Sequence, residues 1–338
     1  MDEELIRKIE NLYNISTLRF VEKVSGGYLS NNFIVKTEEA KYFLKQYRFT
    51  VVNKIEEVQA VKKYFYSCHI PAIMPLETTE GKTYFEFNDG YFALFPFVEG
   101  VVYKYGTITP SALESTGKML AKIHLAGKNP PFTVTEQNKT WDKDRFVQRA
   151  KAILEIIKNK AKKDDFDKTA EETLKLKLTL AEGNQVKFSD LNILNDHLIH
   201  GDYHVNNLFF DAQDNVKYVF DWEKTEMAPR GAELVRCMYI TCFDTHFEEK
   251  NFNDADIYLK AYNELYQISQ NELANIIRFN FIKHIHSLWV ETEHYIYNNT
   301  RVDIFLDKAG NVEYQSKNLN SFIERVTSNL PSLIDQQK

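Results

Sequence analysis

The chain is poor in cysteine, and the three it has, Cys68, Cys237 and Cys242, are scattered with no C-x-x-C spacing. That pattern argues against a disulfide framework or a thiolate metal site and fits a reducing compartment. A basic excess is also missing. Lys and Arg total 42 against 48 Asp and Glu, a formal net charge of −6, so no surplus of cations exists to hold a phosphate backbone, and nucleic acid is not an expected partner. No apolar run approaches the ~20 residues of a membrane-spanning helix. The opening residues, MDEELIRKIENLYN, are acidic and amphipathic and lack the apolar stretch of a signal peptide. Together these absences predict a cytoplasmic protein with no membrane partner. Repeats and low-complexity segments are absent as well.

What is present is ordinary for a globular protein: 43% apolar and 27% charged residues in a chain of 338, enough for two lobes with sizeable cores. Residues 1–15 have helical spacing through Leu5, Ile9 and Leu12. Leu18–Val24, Asn31–Thr37 and Lys41–Tyr47 read as short strands separated by turn residues. In 53–68, Ile55, Val58, Val61 and Phe65 share a helical face, with Asn53 placed to cap it. Two apolar strands flank Asn88-Asp89-Gly90, a hairpin signal. Beyond Gly100 the texture turns helical, beginning with a Thr-Pro start before Ser111–Ala126. The Lys/Glu/Asp-rich stretch 142–188 reads as a helical insertion, and the chain from 230 to 335 is mostly helix in pattern. The expected organisation is α+β, with a sheet-rich lobe over 1–98 and a helical lobe over 99–338.

Chemistry is concentrated in His200-Gly201-Asp202-Tyr203-His204-Val205-Asn206-Asn207, followed by Val219-Phe220-Asp221-Trp222-Glu223. Apolar runs at 208–210 and 218–220 bracket a turn. If they pair as a hairpin, Asn207 and Asp221 converge at one end, in reach of Asp202. Two acids and an amide oxygen make a hard-oxygen set suited to Mg²⁺. Phosphoryl transfer needs such a set, plus a carboxylate to position a hydroxyl and take its proton.

H-x-D-x-x-x-x-N followed by D-W-E resembles the aminoglycoside phosphotransferase and choline kinase superfamily, which has the protein-kinase-like fold. The resemblance implies a bilobal fold, ATP and Mg²⁺ as cofactors, Asp202 as catalytic base, and Asn207 and Asp221 as metal ligands. It also implies that Gly26, Gly27 and Ser30, in the turn after Val24, meet the nucleotide phosphates, as does Lys45 on the strand that follows. Glu57, which fits the family spacing better than Glu56, would pair with Lys45. Phe95, Phe97 and Val98, around Pro96, resemble the segment whose backbone meets adenine, with the donor supplied by Phe97 or Val98 because Pro96 has none.

The implied activity is transfer of the γ-phosphate of ATP to a hydroxyl of a small molecule: an aminoglycoside, choline or ethanolamine, homoserine or a sugar. Glu223, Glu226, Glu291 and Glu293 suggest a cationic acceptor. A different class, a binuclear metal-dependent hydrolase built on His200, Asp202, His204 and Asp221, leaves Lys45 and the Gly-Gly turn unexplained. A catalytically silent pseudokinase is opposed by the presence of Lys45, Asp202, Asn207 and Asp221 together. His124 reads as structural.

Overall fold

The first helix, α1 (Glu3–Tyr13), begins where the Asp2 carboxylate accepts the Glu4 N–H at 2.8 Å and stops at Asn14, whose left-handed backbone turns the chain away. In the computed structural model, residues 2–24, 31–48, 51–132, 134, 141–244, 246–306 and 310–330 are described. Three short strands follow α1: β1 (Phe20–Lys23), β2 (Asn32–Lys36) and β3 (Lys41–Gln46). Next come α2 (Val52–Ser67), β4 (Phe85–Phe87) and β5 (Gly90–Pro96). The strands form one antiparallel sheet in the order β1-β2-β3-β5-β4. Asn88 and Asp89 both have positive φ at the β4–β5 turn, the geometry of a tight hairpin.

The sheet carries a helix on each face because its strands alternate. Leu44, Phe92 and Leu94 pack with Leu5 and Ile9 of α1. Phe43, Ala93 and Phe95 point the other way and pack with Ile55 of α2. The Asn53 expected to cap α2 sits inside its first turn. Val51 holds the cap position in extended backbone and makes no side-chain cap.

The chain then supplies α3 (Pro110–Gly127), α4 (Lys143–Lys158), α5 (Asp165–Gly183) and a three-residue strand β6 (His197–Ile199). Thr109 caps α3 by accepting the Ala112 N–H at 3.1 Å, with Pro110 opening the helix. The charged α4 and α5 bury a stripe between them, including Phe146, Ala150, Ile153 and Leu174. A hairpin of β7 (Leu208–Phe210) and β8 (Val216–Val219) follows, one residue earlier at its end than the apolar pattern suggested, since Phe220 leaves the ladder. After it come β9 (Glu226–Ala228), α6 (Arg230–Met238) running into a π-helical turn, α7 (Glu249–Leu265), α8 (Gln270–Ile285), α9 (Trp289–Tyr295) and α10 (Gly310–Thr327). β6 pairs with β9.

Two compact units result: Met1–Val102 with Asn207–Thr225, and Tyr103–Asn206 with Glu226–Lys338. The β7–β8 hairpin therefore belongs with the sheet. Gly100 permits this, because a Cβ there would lie 2.9 Å from the Phe210 carbonyl oxygen and from the Phe209 Cβ. No helix among the described residues is long and apolar enough to cross a membrane.

Candidate functional site

In the first unit the site is organised around Lys45. Strand alternation puts it, with Ala93 opposite, on the sheet face that α2 covers. Its Nζ lies 2.8 Å from Asp221 Oδ1 and 2.6 Å from Glu223 Oε1. Burial acts to lower the Lys45 pKa, but Asp221 and then Glu223 outweigh it and hold the ammonium above its ordinary value. Glu223 is also 3.5 Å from Arg48 Nε.

The D-W-E sequence explains this pairing. Trp222 is buried, donates its Nε1–H to the Val219 carbonyl at 3.1 Å and lies against Phe65 of α2 at 4.8 Å between ring centroids. That anchor sends the acids on either side of it toward Lys45. Asp221 itself has φ 64° and ψ 59°, a left-handed conformation that few side chains other than Asn and Asp adopt readily.

Asn207 and Asp221 flank one end of the hairpin. Leu208 pairs with Val219, and the Phe220 N–H donates to the Asn207 carbonyl at 3.1 Å. Asn207 is buried, while the Asp221 side chain is 37% exposed.

In the second unit Asp202 lies on a loop shaped by Glu233. Gly201 has φ 82°, which favours glycine. The Glu233 carboxylate accepts the backbone N–H groups of Gly201 at 2.5 Å, His200 at 3.1 Å and Tyr203 at 3.3 Å. His124 Nε2 is 3.1 Å from the same carboxylate, and its Nδ1 is 2.9 Å from the Tyr262 hydroxyl, which Arg230 reaches in turn at 3.0 Å. Burial presses on both partners. It raises Glu233, but the His124 hydrogen bond and the loop amides prevail and the carboxylate stays below its usual value. It lowers His124 against the pull of Glu233. A neutral imidazole donating to an ionised carboxylate satisfies both. Asp202 is ion-paired with Arg236 at 2.6 Å and lies 3.6 Å from His204 Nε2.

The sequence model of the phosphotransferase enzyme family (APH) matches residues 21–268. The chain belongs to that family. No curated protein sequence matches the chain. Among solved structures, the fold is similar to spectinomycin phosphotransferase APH(9)-Ia in complex with ADP and spectinomycin, at 15% identity, 96% of this chain, 97% of that chain and a TM-score of 0.64. It is similar to amicoumacin kinase hAmiN in complex with AMP-PNP, Ca²⁺ and Ami, at 12% identity, 100% and 97% coverage and a TM-score of 0.61. It is also similar to choline kinase from Cryptosporidium parvum Iowa II, at 15% identity, 97% and 99% coverage and a TM-score of 0.60. At these identities the likeness is one of fold.

Within this family member, the structure brings Lys45, Asn207 and Asp221 together in the first unit and sets Asp202 in the second. Gly26, Gly27 and Ser30 lie outside the described residues. Glu57 requires a correction. It bonds Lys54, one turn back on α2, and Glu56 bonds the Tyr84 hydroxyl at 3.0 Å; neither pairs with Lys45. The reason is helical phase. Ile55, Val58, Lys62 and Phe65 face the core, and Glu57 falls between those positions. The carboxylate for Lys45 comes instead from Glu223.

Of the remaining expected contacts, Phe95 is buried under α2 and the Phe97 N–H donates to the Lys41 carbonyl at 3.4 Å, whereas the Val98 N–H makes no hydrogen bond among the described residues. No group of three or more His, Cys, Asp or Glu among the described residues is disposed to hold a metal ion. Two of the acids expected to attract a cationic acceptor are occupied. Glu223 serves Lys45, and Glu291 is buried in an ion pair with Lys177 at 3.0 Å.

Glu233 and Arg236 escaped the sequence reading. Their signal was an acid in the first turn of the helix after Pro229, where the helix dipole favours negative charge. The second unit also holds an open cavity of about 380 Å³ lined by Trp141, Arg145, Arg149, Lys283, His286 and Trp289, among others.

Proposed function

We propose that this protein is an ATP-dependent kinase that moves the γ-phosphoryl group of ATP to a hydroxyl of a small molecule. The observation that carries the reading is the Lys45 ammonium held between Asp221 and Glu223, with Asn207 at the same hairpin end as Asp221. The first unit is then the nucleotide-binding part, with Lys45 meeting phosphate oxygens and the Val98 N–H as donor to adenine. The second supplies the base.

Asn207 and Asp221 fit Mg²⁺, which takes one or two protein oxygen donors and completes its shell with phosphates and water. Bound there, the ion would neutralise charge on the phosphates. Asp202 receives the acceptor's proton as the acceptor oxygen bonds to the γ-phosphorus and the bond from that phosphorus to the β,γ-bridging oxygen breaks, releasing ADP. Arg236 and the Glu233-braced loop hold the Asp202 carboxylate in position. The contribution is positional and electrostatic, with no covalent enzyme intermediate.

The acceptor site belongs to the second unit in this reading, and the acids of that unit, Glu226 and Glu293 among them, would favour an amine. ATP consumption measured against a panel of aminoglycosides, choline, ethanolamine, homoserine and sugars tests the reading. Acceptor-dependent ADP release supports it. Failure of every hydroxyl compound, combined with no nucleotide binding, would contradict it. Matched neutral and cationic alcohols in the panel decide the charge preference.

A further inference from the structure

α2 buries a lysine. Ile55, Val58 and Phe65 form its apolar stripe, and Lys62 stands in the middle of that stripe at 5% exposure. Its Nζ lies 4.6 Å from the centroid of the Phe95 ring. A cation taken out of water is costly unless a partner offsets it, and a ring face is a weak partner. Among the described residues Lys62 forms neither a hydrogen bond nor a salt bridge. The charges that act on it are those of the phosphate-site group: Lys45, which opposes its protonation, and Glu223 and Asp221, which favour it. Burial and then Lys45 press its pKa down to about 7.

The charges around this point do not cancel. Lys45 shares Glu223 with Arg48, and Asp221 is bonded to Lys45. When protonated, Lys62 thus adds a third positive group beside two cations that already share both carboxylates. The remaining charge near α2 is internally matched, since Lys54 pairs with Glu57. A buried ammonium without a carboxylate, beside a lysine placed for phosphate, marks a place for an anion.

Resting on the kinase reading, we infer that Lys62 is a second phosphate-binding residue, which with Lys45 grips the phosphate chain of the bound nucleotide beyond the α-phosphate. A polyanion fits the excess charge, whereas a single carboxylate would satisfy only one of the two lysines. Glu223, paired with Lys45 and 3.5 Å from Arg48, then keeps Lys45 in place when Asp221 is engaged elsewhere.

The test is calorimetric titration of the full chain with ATP, ADP and AMP, comparing wild type with Lys62→Met and Lys62→Arg, alongside thermal melts. Losing a charge-assisted phosphate contact should weaken ATP and ADP by about tenfold or more in Lys62→Met, leave AMP within about twofold, and be largely restored by Lys62→Arg. The melting temperature of Lys62→Met should equal or exceed that of wild type, because a buried charge has been removed. Should the Met variant not fold, Lys62→Gln gives the same readout. Wild-type binding of ATP with an unchanged ATP-to-AMP ratio in the variant overturns the inference alone. Wild-type protein that binds no nucleotide overturns it together with the reading it rests on.

Discussion

The Glu233 carboxylate receives the backbone N–H of Gly201 at 2.5 Å, and through that bond a helix that carries no proposed catalytic group sets the shape of the loop that carries Asp202. Replacing Glu233 with Ala would leave the amides of His200, Gly201 and Tyr203 without their acceptor in a buried place. The loss should be about 3–5 kcal/mol of unfolding free energy, with turnover falling further than stability alone explains. Glu233→Gln, which keeps one acceptor oxygen, should lose less. Urea unfolding of both variants beside wild type measures this. Equal stability of Glu233→Ala and wild type would show that the loop holds its shape unaided.

Lys45 and Glu223 should be coupled in stability as well as in function. Glu223 is buried, so Lys45→Met leaves it with Arg48 at 3.5 Å as its remaining ion-pair contact among the described residues. Removal of one partner of a buried pair costs about 3–5 kcal/mol. Glu223→Gln introduced together with Lys45→Met should recover much of that loss while nucleotide affinity stays low. A double-mutant cycle read by chemical unfolding tests it. Strict additivity of the two changes would contradict the pairing.

Much of this arrangement was legible in the sequence because it is local. Strand alternation alone placed Lys45 on the face opposite Leu44, and the two apolar runs at 208–210 and 218–220 pointed to a hairpin with Asn207 and Asp221 at one end, although the second strand is 216–219. The partner of Lys45 was not legible. Family spacing favoured Glu57, whereas the helical phase of α2 turns Glu57 aside and presents Lys62. That phase was readable, since Lys62 falls seven residues after Ile55 on the same stripe, but a lysine in an apolar stripe reads as a snorkelling surface residue until its burial is seen. β6 and β9 escaped because three-residue strands paired across a long stretch of chain leave no periodic pattern. Asp202–Arg236 is likewise a long-range contact that nothing in the loop motif announces.

Stability should fall on the acid side of neutrality. Burial holds His124 below its ordinary pKa, and burial together with Lys177 lowers His284 to about 4. Both are neutral when folded and take up protons near pH ~6.5 when unfolded. Their contribution is therefore complete above about 6.5 and is lost as the pH drops toward the folded values. Unfolding free energy measured from about pH 7 to about pH 4 should decline, and His284→Gln should flatten the decline. A profile that is level over that range contradicts the neutral assignment.

Asp221→Ala should make nucleotide binding insensitive to Mg²⁺, because it removes the anionic oxygen donor at the hairpin end and leaves Asn207 alone. Titrating Mg²⁺ against ATP affinity in wild type and variant reads this. An unchanged metal dependence would remove Asp221 from the proposed metal site.

The most direct test of phosphoryl transfer with Asp202 as base is the turnover of Asp202→Asn on an acceptor that wild type uses. General-base contributions of about 10²–10⁴ in rate predict a loss of kcat in that range with nucleotide affinity near the wild-type value. A variant that turns over at the wild-type rate would contradict the account.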